Sequence, residues 1–120
     1  GYSVIYFSAS GLFDLLSRQA FASNEKEVLY KTQEDLYNCD LVIIDDLGTE
    51  LTNAFTNTHL FSILNERSLR KKPVIISTNL SLEGLKERYS ERIFSRLTNA
   101  FTFRKLSGSD IRIRKKFTNS

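Results

Sequence analysis

The chain has 120 residues, enough for one domain with one core, and its 41% hydrophobic and 26% charged residues exclude a disordered protein. Its apolar runs are far too short to cross a bilayer, and no signal-peptide pattern opens the chain. The single cysteine, Cys39, cannot form an internal disulfide, so we expect a reducing, cytoplasmic setting without membrane association.

Strand and helix signals alternate along the chain. Short apolar runs predict a strand buried on both faces at residues 4–7, a second buried strand at 41–44 and a third strand at 74–76, and residues 100–104 indicate a fourth. Apolar residues at helical spacing predict helices at residues 10–20, 25–37, 53–70, 81–89 and 90–97, the first of them capped by Ser10. This alternation implies crossover connections, and therefore an α/β fold built on a parallel sheet.

The second and third predicted strands both end in polar residues. Asp45 and Asp46 follow the second strand, and Asn79 closes the polar end of the third. Ligands of parallel sheets bind beyond the C-terminal strand ends, so we expect these three side chains near one another at that edge. The alternatives are an acidic turn or helix cap for the aspartates and an ordinary turn asparagine for Asn79.

Four apolar residues followed by two carboxylates have the pattern of a Walker B strand. A rigid strand would hold Asp45 where it can bind the Mg²⁺ of a nucleotide, directly or through water. Asp46 could then orient or polarise the water that attacks the γ-phosphate. Asn79 is a neutral amide that can hold the same water or donate to a phosphate oxygen. The pattern therefore favours ATP and Mg²⁺ as ligands.

Three motifs together resemble a known family. Leu41-Val-Ile-Ile-Asp-Asp-Leu-Gly48, Pro73-Val-Ile-Ile-Ser-Thr-Asn79 and Glu91-Arg-Ile-Phe-Ser-Arg96 occur in the order and rough spacing of the DnaC/DnaI-type bacterial helicase loaders. The IstB-type transposition helper ATPases share them closely. The resemblance implies a three-layer parallel sheet of the P-loop NTPase (AAA+) type, incomplete at its N-terminal side. Residues 1–120 would form the C-terminal portion of a single AAA+ ATPase domain.

The resemblance also implies a role for each matching residue. Asp45 resembles the Walker B magnesium carboxylate, Asp46 the catalytic acid, and Asn79 the sensor 1 residue aimed at the γ-phosphate. Arg96 resembles the arginine finger that acts in a neighbouring subunit's site, which implies self-association. Arg92 lies four residues earlier on the same helical face and is its rival. A solvated or salt-bridged helix face is the alternative for both arginines.

The C-terminal segment carries the last candidate contacts. Ser107-Gly-Ser-Asp-Ile-Arg112 is similar to the loaders' closing segment, which makes Arg112 the candidate to approach the nucleotide from the far side, with Arg114 as alternate. An aspartate–isoleucine pair replaces the serine–tyrosine-like pair of the commoner pattern. The many basic residues of this segment are otherwise a phosphate-contacting surface or a solvated tail.

No G-x-x-x-x-G-K-[ST] phosphate-binding loop occurs in the 120 residues. In the family that loop immediately precedes the position of Gly1, so we expect a fragment of a longer protein that binds ATP poorly on its own. The family's missing strand is central, between the strands that match 73–78 and 100–104 here. We therefore expect strand 74–77 to pair directly with strand 100–104, or with an upstream segment.

The function that the resemblance implies is ATP-dependent loading of the replicative DNA helicase onto single-stranded DNA during replication initiation, within a primosome. An IstB-like transposition helper, with a transposase as partner, is the alternative inside the family. A nucleic-acid-binding or scaffold module without ATPase activity is the alternative outside it. Tyr2, Tyr6 and Phe7 are too apolar in context for an exposed stacking platform, which weakens that last reading.

Overall fold

A computed structural model describes residues 1–22, 24, 26–105 and 111–115, with the side chains described as far as Thr98. The strands of this part are β1 (Val4–Ser8), β2 (Leu41–Leu47), β3 (Val74–Thr78), β4 (Phe101–Lys105) and β5 (Ile111–Lys115). The helices are α1 (Ala9–Phe21), α2 (Lys26–Asn38), α3 (Ala54–Leu69), α4 (Leu82–Arg88) and α5 (Glu91–Ala100). None of the described helices has the length and apolar character needed to cross a membrane.

The strands form one sheet in the order β1-β2-β3-β5-β4. β1, β2 and β3 are parallel, and helices connect them along the chain. This arrangement confirms the predicted α/β fold with a parallel sheet flanked by helices, and it is consistent with an incomplete domain of the P-loop NTPase type.

The neighbour of β3 differs from the one expected. β5 lies between β3 and β4 and runs antiparallel to both, with Arg112 opposite Ser77 and Ile113 opposite Phe103. The prediction that strand 74–77 pairs directly with strand 100–104 is therefore wrong. Residues 111–114 alternate isoleucine with arginine at the strand period, which is typical of a strand with one apolar and one polar face. Through this pairing, β5 satisfies the backbone N–H and C=O groups of β3 that face it, a role that the prediction gave to residues 100–104.

The helix caps explain where the helices begin. Ser8 caps α1 and accepts a hydrogen bond from the amide of Gly11, so the expected cap at Ser10 is wrong by two residues. Asn53 and Thr56 form a capping box at the start of α3, each side chain accepting from the other's backbone amide. The start of α3 lies within one residue of its prediction.

The core lies between one face of the sheet and the helices. Alternate residues of the central strands are buried there, and they include Val42, Ile44, Val74 and Ile76. β1 is an edge strand, with 49% of Val4 and 59% of Tyr6 exposed, so burial of β1 on both faces is a wrong prediction. Tyr2 is 72% exposed as well, which corrects the inference that these tyrosines are unavailable for stacking.

A buried arginine on α3 holds segments of the chain together at the N-terminal ends of β2 and β3, opposite to the edge with the polar strand ends. Arg67 is 0% exposed. Its Nη1 donates to the carbonyl oxygens of Leu36 at 3.0 Å and Cys39 at 2.7 Å, and its Nη2 donates to that of Pro73 at 2.8 Å. These carbonyls lie at the end of α2 and just before β2 and β3, so one side chain joins three segments of the chain.

The left-handed backbone of Lys71, just after the C-terminus of α3, makes this residue a site where a substitution is expected to raise stability. Lys71 has φ 56°, a left-handed conformation, and its amide donates to Ser68 while that of Lys72 donates back to Arg67, as in a Schellman motif. Because glycine adopts this conformation without strain, Lys71→Gly is expected to raise the free energy of unfolding by about 1 kcal/mol. Urea denaturation measures the change, with Lys72→Gly as the control at ordinary φ. An equal change in both variants would contradict the prediction.

Candidate nucleotide site

Asp45 lies at the C-terminal end of β2 and contacts both neighbouring strands. The hydroxyl of Tyr6 on β1 donates to its Oδ2 at 2.9 Å, and the hydroxyl of Ser77 on β3 donates to its Oδ1. The hydrogen bond to Asp45 is the largest cause that raises the pKa of Tyr6, so the phenol stays protonated as the donor. Two hydroxyls on adjacent strands thus hold the orientation of this half-buried carboxylate.

A β-bulge explains how two consecutive aspartates reach the same edge. The β2–β3 register is interrupted between Ile44 and Leu47, so Asp45 and Asp46 together oppose Ser77. The Ser77 hydroxyl donates to Asp45 and accepts from the amide of Asp46 at 3.1 Å. Leu47 is buried as Ile44 is, which strict alternation would forbid, and Asp46 is left exposed.

The backbone of the turn after β2 is unusual. Asp46 has φ 55°, a conformation that aspartate tolerates better than most residues, and its carbonyl accepts from the Thr49 hydroxyl at 2.8 Å. Gly48 has φ 110°, and a Cβ there would lie 2.7 Å from Cδ1 of Leu80. The Asp-Asp-Leu-Gly sequence therefore suits three features of this backbone: the bulge, the left-handed conformation of Asp46 and the close contact of Gly48 with Leu80.

Asn79 follows the neighbouring strand at the same edge. Thr78 lies opposite Leu47, donates to the Leu47 carbonyl and accepts from the amide of Leu80. These bonds bring together the ends of β2 and β3, from which Asp46 and Asn79 continue, and both side chains are exposed. The structure thus places the polar ends of both strands at one edge, while the catalytic roles of these residues stay predictions.

The two candidate finger arginines share one contact on α3. The Cζ atom of Arg92 lies 4.1 Å from the ring centroid of Phe61, and that of Arg96 lies 5.5 Å from it. Arg92 is exposed and Arg96 is half-buried. The four-residue spacing puts both on one face of α5, and the shared ring does not choose between them.

Arg112 is placed only through its backbone. It lies in β5 opposite Ser77, the residue that contacts both aspartates. The side chains of Arg112 and Arg114, and the whole segment 107–110, lie outside the described residues. The predicted contact of Arg112 with the nucleotide therefore stays a prediction.

The donor set at this edge suits Mg²⁺ held on a nucleotide. Its side chains are carboxylates, hydroxyls and an amide, which are hard oxygen ligands. Both oxygens of Asp45 already accept hydrogen bonds, which fits coordination through water. Within the described part of the chain, no group of three or more His, Cys, Asp or Glu could hold a metal ion. A cation held by Asp45 would share its coordination with water and the phosphates of a nucleotide.

Sequence reasoning missed two residues at this edge, Tyr6 and Glu50. Tyr6 belongs to an apolar run that gives no sign of a contact with Asp45. Glu50 is 4% exposed and accepts hydrogen bonds from the Gly48 amide at 2.8 Å and the Tyr89 hydroxyl at 2.5 Å. Burial raises the pKa of Tyr89 most, and the Glu50 hydrogen bond raises it further. A glutamate in a turn carries no sequence signal for such burial.

Three parallel strands flanked by helices, with a bulged strand that ends in two carboxylates, are consistent with an incomplete domain of the P-loop NTPase type, although the described part has no phosphate-binding loop. The profile of the family described as IstB-like ATP binding protein matches residues 1–116, and the chain belongs to that family. Membership implies nucleotide binding and confirms the predicted resemblance.

The chain is also similar to curated helicase loaders. It is 30% identical over 63 residues to the replicative helicase loader DnaC of Escherichia coli (strain K12), a match that covers 52% of this chain and 26% of the relative. It is 26% identical over 97 residues to the replicative helicase loader DnaC of Buchnera aphidicola subsp. Baizongia pistaciae (strain Bp), covering 81% and 39%. The chain thus spans well under half the length of these relatives.

Proposed function

We propose that the full-length protein is an ATP-dependent helicase loader of DNA replication initiation, and that these residues form the C-terminal portion of its single AAA+ ATPase domain. The bulge that sets Asp45 and Asp46 against Ser77 carries the proposal, because it fixes one carboxylate and exposes the next. Similarity to the replicative helicase loaders supports a replicative helicase as partner. Placement of that helicase on single-stranded DNA is the remaining part of the proposal.

In this proposal each residue has a separate task. Asp45 would hold the nucleotide's Mg²⁺, which would neutralise phosphate charge, while Tyr6 and Ser77 keep its carboxylate in place. Asp46, exposed at the turn, orients and polarises the attacking water, and Asn79 positions the same water or a γ-phosphate oxygen. The finger arginine of α5 stabilises the transition state in a neighbouring subunit, so hydrolysis requires self-association.

A transposition helper is the second candidate, because the matching family is described as IstB-like. Its partner would be a transposase instead of a helicase. Purified full-length protein distinguishes the two by co-purification with the replicative helicase or with a transposase from the same cell. Helicase-dependent stimulation of ATP turnover supports the loader, and stimulation by a transposase alone contradicts it.

Two aspartate variants test the proposed site in the full-length protein. Asp46→Asn is expected to lower ATP turnover at least about a hundredfold with little loss of ATP affinity, because asparagine keeps the shape and tolerates φ 55° but cannot polarise water as an anion does. Asp45→Asn is expected to reduce, in addition, the gain in ATP affinity that Mg²⁺ provides.

Steady-state turnover and equilibrium ATP binding with and without Mg²⁺ measure both effects. Asp35→Asn on α2 is the matched control, since Asp35 is exposed and pairs only at the surface with Lys31 at 3.4 Å in the contacts described. Unchanged turnover in both site variants would mean that the acidic pair is a structural turn.

A further inference from the structure

We infer that Glu50 is a positioning residue that couples the Asp45–Asp46 turn, through the end of α4, to α5, the helix that bears Arg92 and Arg96. The inference rests on the proposed function and adds a route by which one nucleotide site acts on the arginines offered to the next.

The Glu50 carboxylate is shared between the two structures it would couple. Its Oε1 accepts from the amide of Gly48, in the turn, at 2.8 Å. Its Oε2 accepts from the hydroxyl of Tyr89, at the end of α4, at 2.5 Å, and lies 3.9 Å from Nε of Arg88. Arg88 also donates through Nη2 to the Glu50 carbonyl. Each oxygen thus serves one side of the junction.

Burial of this glutamate calls for a reason. Its chain neighbours Thr49 and Leu51 are exposed, Leu51 by 78%, so the loop could leave a carboxylate in water. Glu50 is instead 4% exposed, and a buried carboxylate is costly unless charged or hydrogen-bonding groups compensate. The compensating groups come from both α4 and the turn. If either moved away alone, the buried carboxylate would lose a hydrogen-bond donor, at a large cost in free energy.

The contacts on the turn side lie within two residues of Asp46. The amide that Glu50 binds belongs to Gly48, two residues after Asp46. Thr49 closes the turn on the Asp46 carbonyl through both its amide, at 3.2 Å, and its hydroxyl, at 2.8 Å. A shift of Asp46 on nucleotide binding would therefore also shift the Gly48 amide and alter its hydrogen bond to the Glu50 carboxylate.

The contacts on the helix side lie just before the helix that carries the arginines. Tyr89 is the C-cap of α4 and is 4% exposed, and α5 begins two residues later at Glu91. Arg92 is in the first turn of α5, and Arg96 follows one turn further along the same face over Phe61. The hydrogen bond of the Tyr89 hydroxyl to Glu50 therefore fixes the connection between α4 and α5, just before the helix that carries both arginines.

Two conservative variants of the full-length protein test this coupling. Glu50→Gln and Tyr89→Phe each keep the side-chain volume and remove the charge or the hydroxyl. The measurement is hydrogen–deuterium exchange of residues 82–98 with and without Mg-ATP, alongside ATP affinity and turnover. Glu83→Gln is the control, since Glu83 is an exposed acid on the same helix.

In the unmodified protein and the control, Mg-ATP is expected to change exchange in residues 82–98. Both variants are expected to lose that change and about tenfold in kcat, with ATP affinity nearly unchanged. A purely structural role would lower stability and leave the Mg-ATP response in the folded fraction. Should Glu50→Gln not fold, Tyr89→Phe decides, because it leaves the carboxylate with its Gly48 and Arg88 contacts.

Retention of the response in folded variants overturns the inference and leaves the proposed function standing. Absence of any response in an unmodified protein that hydrolyses ATP also overturns the inference alone. An unmodified full-length protein that neither binds nor hydrolyses ATP overturns the proposed function, and the inference falls with it.

Discussion

Replacing Arg96 by alanine in the full-length protein is expected to lower ATP turnover about a thousandfold or more, with ATP affinity of each subunit preserved. The reason is that a finger arginine stabilises charge that develops only in the transition state, in a site made largely by the neighbouring subunit. Arg96 is half-buried on α5 and its guanidinium lies over the Phe61 ring, so the orientation of the side chain is already restricted before any partner docks.

Mixing distinguishes action on a neighbour from action within one subunit. Arg96→Ala and Asp46→Asn subunits together are expected to recover part of the activity, because some mixed interfaces join an intact acid to an intact arginine. Arg18→Ala, an exposed arginine on α1 paired with Asp14 at 3.3 Å, is the control and should retain turnover. If mixing restores nothing and Arg92→Ala is the damaging change, Arg92 is the finger.

Replacing Arg67 by methionine is expected to lower the free energy of unfolding by about 3 kcal/mol or more. Methionine keeps the apolar stem and much of the volume, so the loss isolates the guanidinium. Without it, the carbonyls of Leu36, Cys39 and Pro73 lose a buried donor at the junction of α2, β2 and β3. Urea denaturation followed by circular dichroism gives the difference.

Arg70→Met is the matched control for this loss. Arg70 is exposed, lies three residues after Arg67 and pairs at the surface with Glu66 at 3.1 Å and with Asn38. Removal of such a pair is expected to change the free energy of unfolding by less than about 1 kcal/mol. Equal losses in the two variants would show that the buried carbonyls find other donors.

The sequence predicted the parallel strands and their polar ends because those features are local. Apolar runs of four residues or fewer followed by Asp45 or Ser77 fix both the type of element and the end at which polar groups appear. The capping residues Asn53 and Ser81 likewise act on the first turn of their own helices. Elements of this kind need no knowledge of their neighbours.

The misses, apart from the cap of α1, depend on neighbours. Nothing in residues 4–7 tells an edge strand from a central one, so the exposure of Tyr6 and its bond to Asp45 were out of reach. The C-terminal segment has many charges and predicts a phosphate-contacting surface or a solvated tail, although residues 111–115 form β5. The burial of Glu50 depends on Tyr89, 39 residues further along the chain, which only the tertiary structure brings beside it.

The position of β1 at the end of the described sheet also affects how the protein behaves at high concentration. Its segment, Val-Ile-Tyr-Phe-Ser, contains no charge, no proline and no glycine, and the described strands pair with it only on the β2 side. Natural edge strands commonly use lysine, proline or a bulge to prevent pairing between separate molecules, and β1 has none of these. Pairing between separate molecules along β1 is therefore expected to lower solubility unless another part of the full-length protein or a partner covers this strand.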